Sequence, residues 1–243
     1  MSEKRIFYVP EVRPEMELPE DEAGHCIRVL RLREGDGIVI ADGKGTFHDA
    51  VISSVAGRRC VVSISRSERQ EPLWRGRITL AYAPTKLMER NEWFIEKAVE
   101  IGVDRIVFLK TEHSERNVMK MERVERIAVA AMKQSQKAYL PELVPMTDFR
   151  RFVQSGCGED RFIAHCMSDE EQASLQANYR PTEGKEALWQ QVRRGKSTLI
   201  LIGPEGDFSP REVELALRSG FVPVSLGKAR LRTETAGITA CHT

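Results

Sequence analysis

An α/β fold preceded by a β-rich segment is what this sequence predicts, and three observations carry the prediction. Beyond residue 76, short apolar strands alternate with helical stretches. One of those strands, "STLILIG", is apolar without interruption, as a strand buried on both faces of a parallel sheet must be. Before residue 73 the chain instead shows β-branched runs punctuated by turn residues. At 243 residues there is room for one large domain or two modest ones, with a real core.

The elements follow in order. "GIVIADGKGTFHDAVISSV" reads as a hairpin, with Asp42-Gly43 and Lys44-Gly45 as its turn chemistry, and "RRCVVSISR" supplies another alternating strand. Pro72 and Gly76 break the pattern around "SERQEPLWRG", so domains are expected at residues 1–72 and 73–243. "RITLAYAP" is then a strand, "ERNEWFIEKAVEIG" an amphipathic helix closed by Gly102, and "VDRIVFLK" a strand. A long helix from about Lys120 to Ala138 precedes a strand at "RFIAHC". After "STLILIG" come a helix, "PREVELALRSG", ended by Gly220, a strand, "VPVSLG", and a last helix around Thr235.

Composition narrows the function classes. Hydrophobic residues make 41% and charged residues 30%, ordinary for a soluble globular protein. No apolar run approaches the roughly 18 residues of a membrane span, and the start "MSEKRIFYVP" has no apolar signal segment, so a cytoplasmic protein without a membrane partner is expected. Cys26, Cys60, Cys157, Cys166 and Cys241 are odd in number and form no CxxC pair, which favours reduced thiols over disulfides or a metal site. The net charge of +1 is not that of a non-specific nucleic-acid binder. An RNA partner would have to meet local patches such as "IRVLRLR" (Arg28, Arg31, Arg33) or "MKQSQKAY" (Lys133, Lys137), for which solvated basic surface is the competing reading.

The strongest local signal is "LILIGPEGDFSPREVELA". A buried strand runs into Gly203-Pro204-Glu205-Gly206, and a helix starts at once, with Ser209 as N-cap, Pro210 at the first helical position and Glu212 completing a capping box. Ligands of open α/β sheets bind where such strand-end loops lie, and two glycines allow close backbone approach. A second loop of the kind, "SLGKARLRTETAG", leaves the next strand and could converge on the same ligand. The glycines of "ADGKGTF" precede a strand, so they make no dinucleotide fingerprint, and no phosphate-binding P-loop is present. The chain closes on "LRTETAGITACHT", whose small apolar residues look fit for burial rather than for a frayed terminus.

"IGPEGDFSPREVE" followed by "LGKARLRTETA" resembles the ribosomal RNA small subunit methyltransferase E family, part of the SPOUT superfamily of knotted methyltransferases. "HCIRVLRLREGD" (His25 to Asp36), "EWFIEKAVEIGVDRI" (Glu92 to Ile106) and "SERN" (Ser114 to Asn117) are similar to further motifs of that family, in its order and spacing. One departure lies on the long helix, where "KQSQK" puts Lys133 in place of an acidic residue and Lys137 where Arg is frequent; Gln134, Ser135 and Pro141 remain.

The resemblance implies a PUA-like, RNA-binding β-barrel over residues 1–72 and a SPOUT methyltransferase domain over 73–243, with a C-terminal trefoil knot and homodimeric assembly. It implies S-adenosylmethionine as cofactor and N3 of a uridine in 16S rRNA, free or in the small ribosomal subunit, as target. Carried over by position, the cofactor site comprises Gly203, Glu205, Gly206, Leu226, Gly227, Leu231, Arg232, Thr233, Glu234 and Ala236, with His165 as a further candidate. Arg28, Arg31, Gln134 and Lys137 are the RNA-binding candidates. Because N3 of uridine carries a proton, a base is needed: Glu234, Glu205 and His113 are candidates. Arg232 or Arg116 would stabilise charge on the uracil carbonyls. Two other readings stand beside this one: methylation at another RNA position, such as a ribose 2′-oxygen, and a non-catalytic RNA-binding or ribosome assembly factor.

Overall fold

The computed structural model describes residues 5–155, 160–166 and 185–243, so Cys157 lies outside the described residues. Two compact units emerge, one of Met1–Leu73 with Ala128–Leu140, the other of Trp74–Ile127 with Pro141–Thr243.

The first unit is a five-stranded sheet in the order β1-β3-β4-β5-β2: β1 (Ile6–Tyr8), β2 (Glu15–Glu17), β3 (Gly37–Ala41), β4 (Thr46–Ala56) and β5 (Arg59–Arg69). β3, β4 and β5 form the expected antiparallel meander, with Asp42 Oδ1 accepting from the Lys44 and Thr46 amides at 2.7 and 2.8 Å in the turn. β1 adds in parallel to β3 and β2 antiparallel to β5, two short strands that the sequence pattern does not announce. Phe7, Ile38, Ile40, Ile52 and Val62 gather in one core with Ala23 and Cys26. The last two come from α1 (Glu20–Gly24) and the π-helical turn His25–Val29 that continues it.

This unit also takes in Ala128–Leu140, a stretch that the sequence pattern assigns to the second domain. Specific contacts hold it there. Lys133 donates to both carboxylate oxygens of Glu22 at 2.6 and 2.9 Å, and Tyr139 donates to the Gln70 carbonyl at 2.9 Å. The long helix, α3 (Met121–Gln134), is shorter than the pattern predicts. It stops because Gln136 takes a left-handed conformation (φ 53°) and the Lys137 amide turns back to the Met132 carbonyl at 3.0 Å.

The second unit is a six-stranded sheet in the order β11-β9-β10-β6-β7-β8, parallel throughout. Its strands are β6 (Ile78–Tyr82), β7 (Arg105–Lys110), β8 (Glu142–Asp148), β9 (Asp160–Ala164), β10 (Thr198–Ile202) and β11 (Val222–Val224). Every residue of β10 is buried, because helices cover both faces of the sheet. On one face Ala81, Val107, Leu199 and Leu201 pack with α4 (Phe149–Gln154) and α6 (Pro210–Arg218); α5 (Leu188–Gln191) is a single turn before β10. Against β6 and β10 also lies α7 (Thr233–His242), which packs on α2 (Met88–Ile101). α6 begins with the predicted Ser209–Glu212 capping box, the side chain of each bonding the amide of the other at 3.2 and 2.9 Å.

Topology then selects a place. β6 connects through α2 to β7 on one side, whereas β10 connects through α6 to β11 on the other. Their carboxyl ends are neighbours, in register from Ile78↔Thr198 to Tyr82↔Ile202. Strand order therefore reverses between them, which is where an open α/β sheet opens a crevice for a ligand.

Candidate functional site

Three segments leave the carboxyl edge of this sheet around the reversal: Ala83–Leu87 after β6, Gly203–Ser209 after β10, and Ser225–Arg232 after β11. The first two are tied together. The Ala83 amide donates to the Ile202 carbonyl at 2.9 Å, extending the ladder one residue past the strands, and the Lys86 amide donates to Glu205 Oε1 at 3.0 Å.

The Gly203–Ser209 loop is braced from several directions. Asp207, at φ 60°, accepts from the Cys166 amide at 2.6 Å and from the Phe208 amide at 2.8 Å. The Glu112 amide donates to Glu212 Oε1 at 2.9 Å, so the capping glutamate also anchors the segment after β7. His113 Nδ1 lies 3.0 Å from the carbonyls of Gly206 and Asp207. Both can only accept, so Nδ1 carries the hydrogen and Nε2 is the basic nitrogen of the neutral ring. A Cβ on Gly206 would stand 3.2 Å from the His113 Cβ, closer than such atoms normally pack.

The third segment and α7 make an opposing wall. Glu89, Arg90 and Trp93 of α2 face Arg230, Leu231, Arg232, Glu234 and Thr235 across an open cleft of about 620 Å³. Glu234 is only 7% exposed, with Oε1 at 3.7 Å from the Arg90 Nε and no hydrogen-bond partner for Oε2 among the described residues. α7 comes this close because it is built of small residues. Gly237 faces Phe94, and a Cβ there would approach the ring to 2.6 Å. Thr233, Glu234, Gly237, Ala240 and Cys241 are buried, so the tail is indeed packed rather than frayed.

Tyr82 shows that the walls converge. Burial first, and then the carboxylates of Glu234 and Glu205, push its phenol well above the ordinary range, so the hydroxyl stays protonated. It donates to Asn91 Oδ1 at 3.0 Å while the ring stacks on Phe94 at 4.0 Å between centroids. Two carboxylates distant in sequence, Glu205 on the loop after β10 and Glu234 on α7, thus act on one buried hydroxyl.

The sequence-derived candidates are distributed as follows. Gly203, Glu205 and Gly206 lie on the braced loop; Leu226, Gly227 and Leu231 lie on the loop after β11; Thr233, Glu234 and Ala236 open α7, with Arg232 exposed at its N-cap. Arg116 is engaged with backbone, donating through Nε to the Thr85 carbonyl at 3.0 Å and through its terminal nitrogen to the Lys86 carbonyl. His165 follows β9 and is buried, its carbonyl accepting from the Lys185 Nζ at 3.0 Å. Burial and then the Lys185 charge lower its pKa to about 3, so the ring is neutral. In the first unit Arg28 and Arg31 are exposed, and Arg31, held at φ 55°, lines a separate cleft of about 480 Å³ with Ile27, Leu32 and Arg33. Gln134 is exposed and Lys137 half-buried, whereas Lys133 is held by Glu22.

Arg90, Trp93 and Asn91 escape the sequence reading, which takes α2 only as an amphipathic helix. A signal was available for Asn91, a polar residue on the same stripe as Phe94, Ile95, Ala98 and Val99. Among the described residues no cluster of three His, Cys, Asp or Glu side chains could hold a metal ion, and no helix is long and apolar enough to cross a membrane.

Two family models match the chain. Residues 71–243 match the family model of an RNA methyltransferase domain, and residues 18–65 that of an RNA methyltransferase PUA domain. Ribosomal RNA small subunit methyltransferase E of Synechocystis is 30% identical over 241 residues, covering 97% of this chain and 75% of that protein. The crystal structure of a probable rRNA-methyltransferase from Porphyromonas gingivalis superposes with a TM-score of 0.87 at 47% identity, covering 98% of this chain and 95% of the other. A ribosomal RNA small subunit methyltransferase E from Neisseria gonorrhoeae, solved bound to S-adenosyl methionine, gives a TM-score of 0.81 at 26% identity with the same coverage.

Proposed function

The chain belongs to the ribosomal RNA small subunit methyltransferase E family, and from that premise we propose that it methylates N3 of a uridine in 16S rRNA, using S-adenosylmethionine. The observation that carries this reading is the buried Glu234 carboxylate, whose Oε2 has no partner among the described residues and which flanks the cleft beside Tyr82.

The residues present fit the cofactor. A buried carboxylate whose Oε1 pairs with Arg90 and whose Oε2 has no hydrogen-bond partner among the described residues suits a cationic ligand. The backbone groups of Leu226 and of Lys228–Leu231 make no hydrogen bonds among the described residues, so N–H and C=O groups are available to an adenine edge. When bound, S-adenosylmethionine supplies an already activated methyl group.

The remaining work falls to the chain. Uridine N3 must lose its proton, and Glu234 Oε2 is the acceptor we assign. Glu205 is less suited, because its Oε1 takes the Lys86 amide hydrogen. Arg116 is spent on two backbone carbonyls, so Arg232, exposed at the N-cap of α7, is assigned the charge on the uracil oxygens. A base edge in a helix is shielded, so the target nucleotide enters unstacked. Arg28, Arg31, Gln134 and Lys137 are assigned to the RNA, the burial of α7 is read as the packing of a C-terminal knot, and the working form is a cytoplasmic homodimer.

The test is methyl transfer from labelled S-adenosylmethionine to small ribosomal subunits and to free rRNA, with the product nucleoside identified by mass spectrometry. N3-methyluridine is expected. A ribose-methylated nucleoside would overturn the choice of atom, and no transfer would favour a non-catalytic RNA-binding role. Glu234→Gln is expected to lower kcat by about 10²–10⁴ while cofactor affinity falls far less.

A further inference from the structure

Beyond the candidate residues themselves, the segment between β6 and α2 has an unusual bonding pattern. Asn91 is fully buried, and all its amide valences are used. Oδ1 accepts from the Tyr82 hydroxyl at 3.0 Å, the Thr85 amide at 2.8 Å and the Thr85 hydroxyl at 3.1 Å. Nδ2 donates to the carbonyls of Thr85 at 2.9 Å and Leu87 at 3.3 Å. The same Thr85-Lys86 pair receives Arg116 on its two carbonyls and gives the Lys86 amide to Glu205. Three separate stretches of chain thus meet on one dipeptide, and of these α2 also reaches α7. It does so through Tyr82 and Phe94, against which Gly237 of α7 packs.

We propose that Asn91 is a positioning residue: it holds the Thr85-Lys86 segment, and through it Glu205, at a set separation from Glu234 on α7, and so sets the width of the cofactor site. The proposal rests on the methyltransferase reading of that site. Its physical basis is directional. An apolar side chain of the same size would fill the space but leave the Thr85 amide buried without its acceptor and the Thr85 carbonyl with Arg116 alone, so the loop would open to find water. An amide presents a donor and an acceptor side by side, which is what two consecutive groups of one residue require.

Asn91→Asp separates positioning from packing. The carboxylate keeps the accepting oxygen but sets a second acceptor against the Thr85 and Leu87 carbonyls, and protonation restores the donor. The titratable and charged groups around it are the Tyr82 phenol of β6, which it bonds, and Arg116 after β7, which shares the Thr85 carbonyl with it; Glu234 of α7 and Glu205 after β10 act on the same phenol, and Glu89 and Arg90 precede it on α2. Burial and the neighbouring carboxylates favour the protonated form as pH falls. Calorimetry with S-adenosylmethionine on wild type and variant across mildly acidic to neutral pH is the test, together with hydrogen exchange of the Thr85 and Lys86 amides in the free protein. At neutral pH the variant is expected to bind about tenfold more weakly and to exchange those amides faster while the β10 amides stay protected. On acidification the variant-to-wild-type ratio of affinities is expected to return toward one. Equal affinity and equal exchange at every pH would overturn the proposal, as would weakening that acid does not relieve. No binding by the wild-type protein would overturn the methyltransferase reading and this inference with it.

Discussion

The loop after β10 and the loop after β11 leave the same edge of one sheet, yet they are held in opposite ways. Gly203–Ser209 is fastened from three other segments: the Lys86 amide bonds Glu205, the Cys166 amide bonds Asp207, and the His113 ring meets the Gly206 and Asp207 carbonyls. Ser225–Arg232 is fastened at its ends. Ser225 exchanges backbone bonds with Glu186 and Leu188, Arg232 caps α7, and between them the hydrogen bonds among the described residues are local ones of Ser225 with Gly227. The first loop is therefore pre-organised, its ordering entropy met during folding, whereas the second makes few hydrogen bonds among the described residues between its ends. A site with one rigid and one adaptable wall can set orientation on the rigid side and close on the other.

The largest effect is expected where the rigid wall has no room to yield. Gly206→Val drives a side chain into His113 and should weaken S-adenosylmethionine binding about a hundredfold, the upper end of what overpacking produces. Calorimetry would show this, with thermal unfolding moved by only a few degrees. Undiminished affinity would break the contrast between the loops.

Next comes the anchor of the adaptable wall. Gly237→Val sets a side chain against the Phe94 ring and should cost about 1–3 kcal/mol of stability, read as a lower denaturation midpoint. Affinity should fall with it, because Glu234 and Arg232 ride on the same helix. A stable variant that has lost binding would mean that α7 acts by direct contact rather than by anchoring.

Acid should loosen the braced side first. His165 precedes Cys166, whose amide bonds Asp207, and its folded-state pKa, lowered by burial and then by Lys185, lies at about 3 against an unfolded value near 6.5. The unfolded chain binds the extra proton between those values, so stability is full above about pH 6.5 and declines as pH falls toward 3. His165→Gln should flatten that part of the profile relative to wild type in urea unfolding. Parallel acid profiles for the two proteins would count against it.

The smallest effect belongs to the loose loop. Gly227 sits at φ 130° with open space where a Cβ would go, so Gly227→Ala carries backbone strain of about 1 kcal/mol without a clash. A loss of affinity of about fivefold or less is expected. A hundredfold loss, matching Gly206→Val, would erase the distinction between the walls.

The sequence by itself determined what depends on near neighbours along the chain. Apolar runs such as "STLILIG", the hairpin around Asp42, and the Ser209–Glu212 capping box are local patterns whose physics is complete within a few residues, and the structure contains each of them. The two strand-end loops were legible for the same reason, and so was the burial of the tail, since Gly237, Ala240 and Cys241 are small enough for close packing. Only the tertiary structure decided how these pieces serve one another. The Lys86 amide meets Glu205 across 119 residues because β10 inserts beside β6, a strand order that no local periodicity encodes. Arg116 is a brace rather than a free cation, Lys133 is spent on Glu22, and Ala128–Leu140 joins the first unit for the same reason. A hydrogen bond is directional and its partner can lie anywhere along the chain, so the sequence names the side chain that needs a partner, and the packing of the sheet chooses which one it gets.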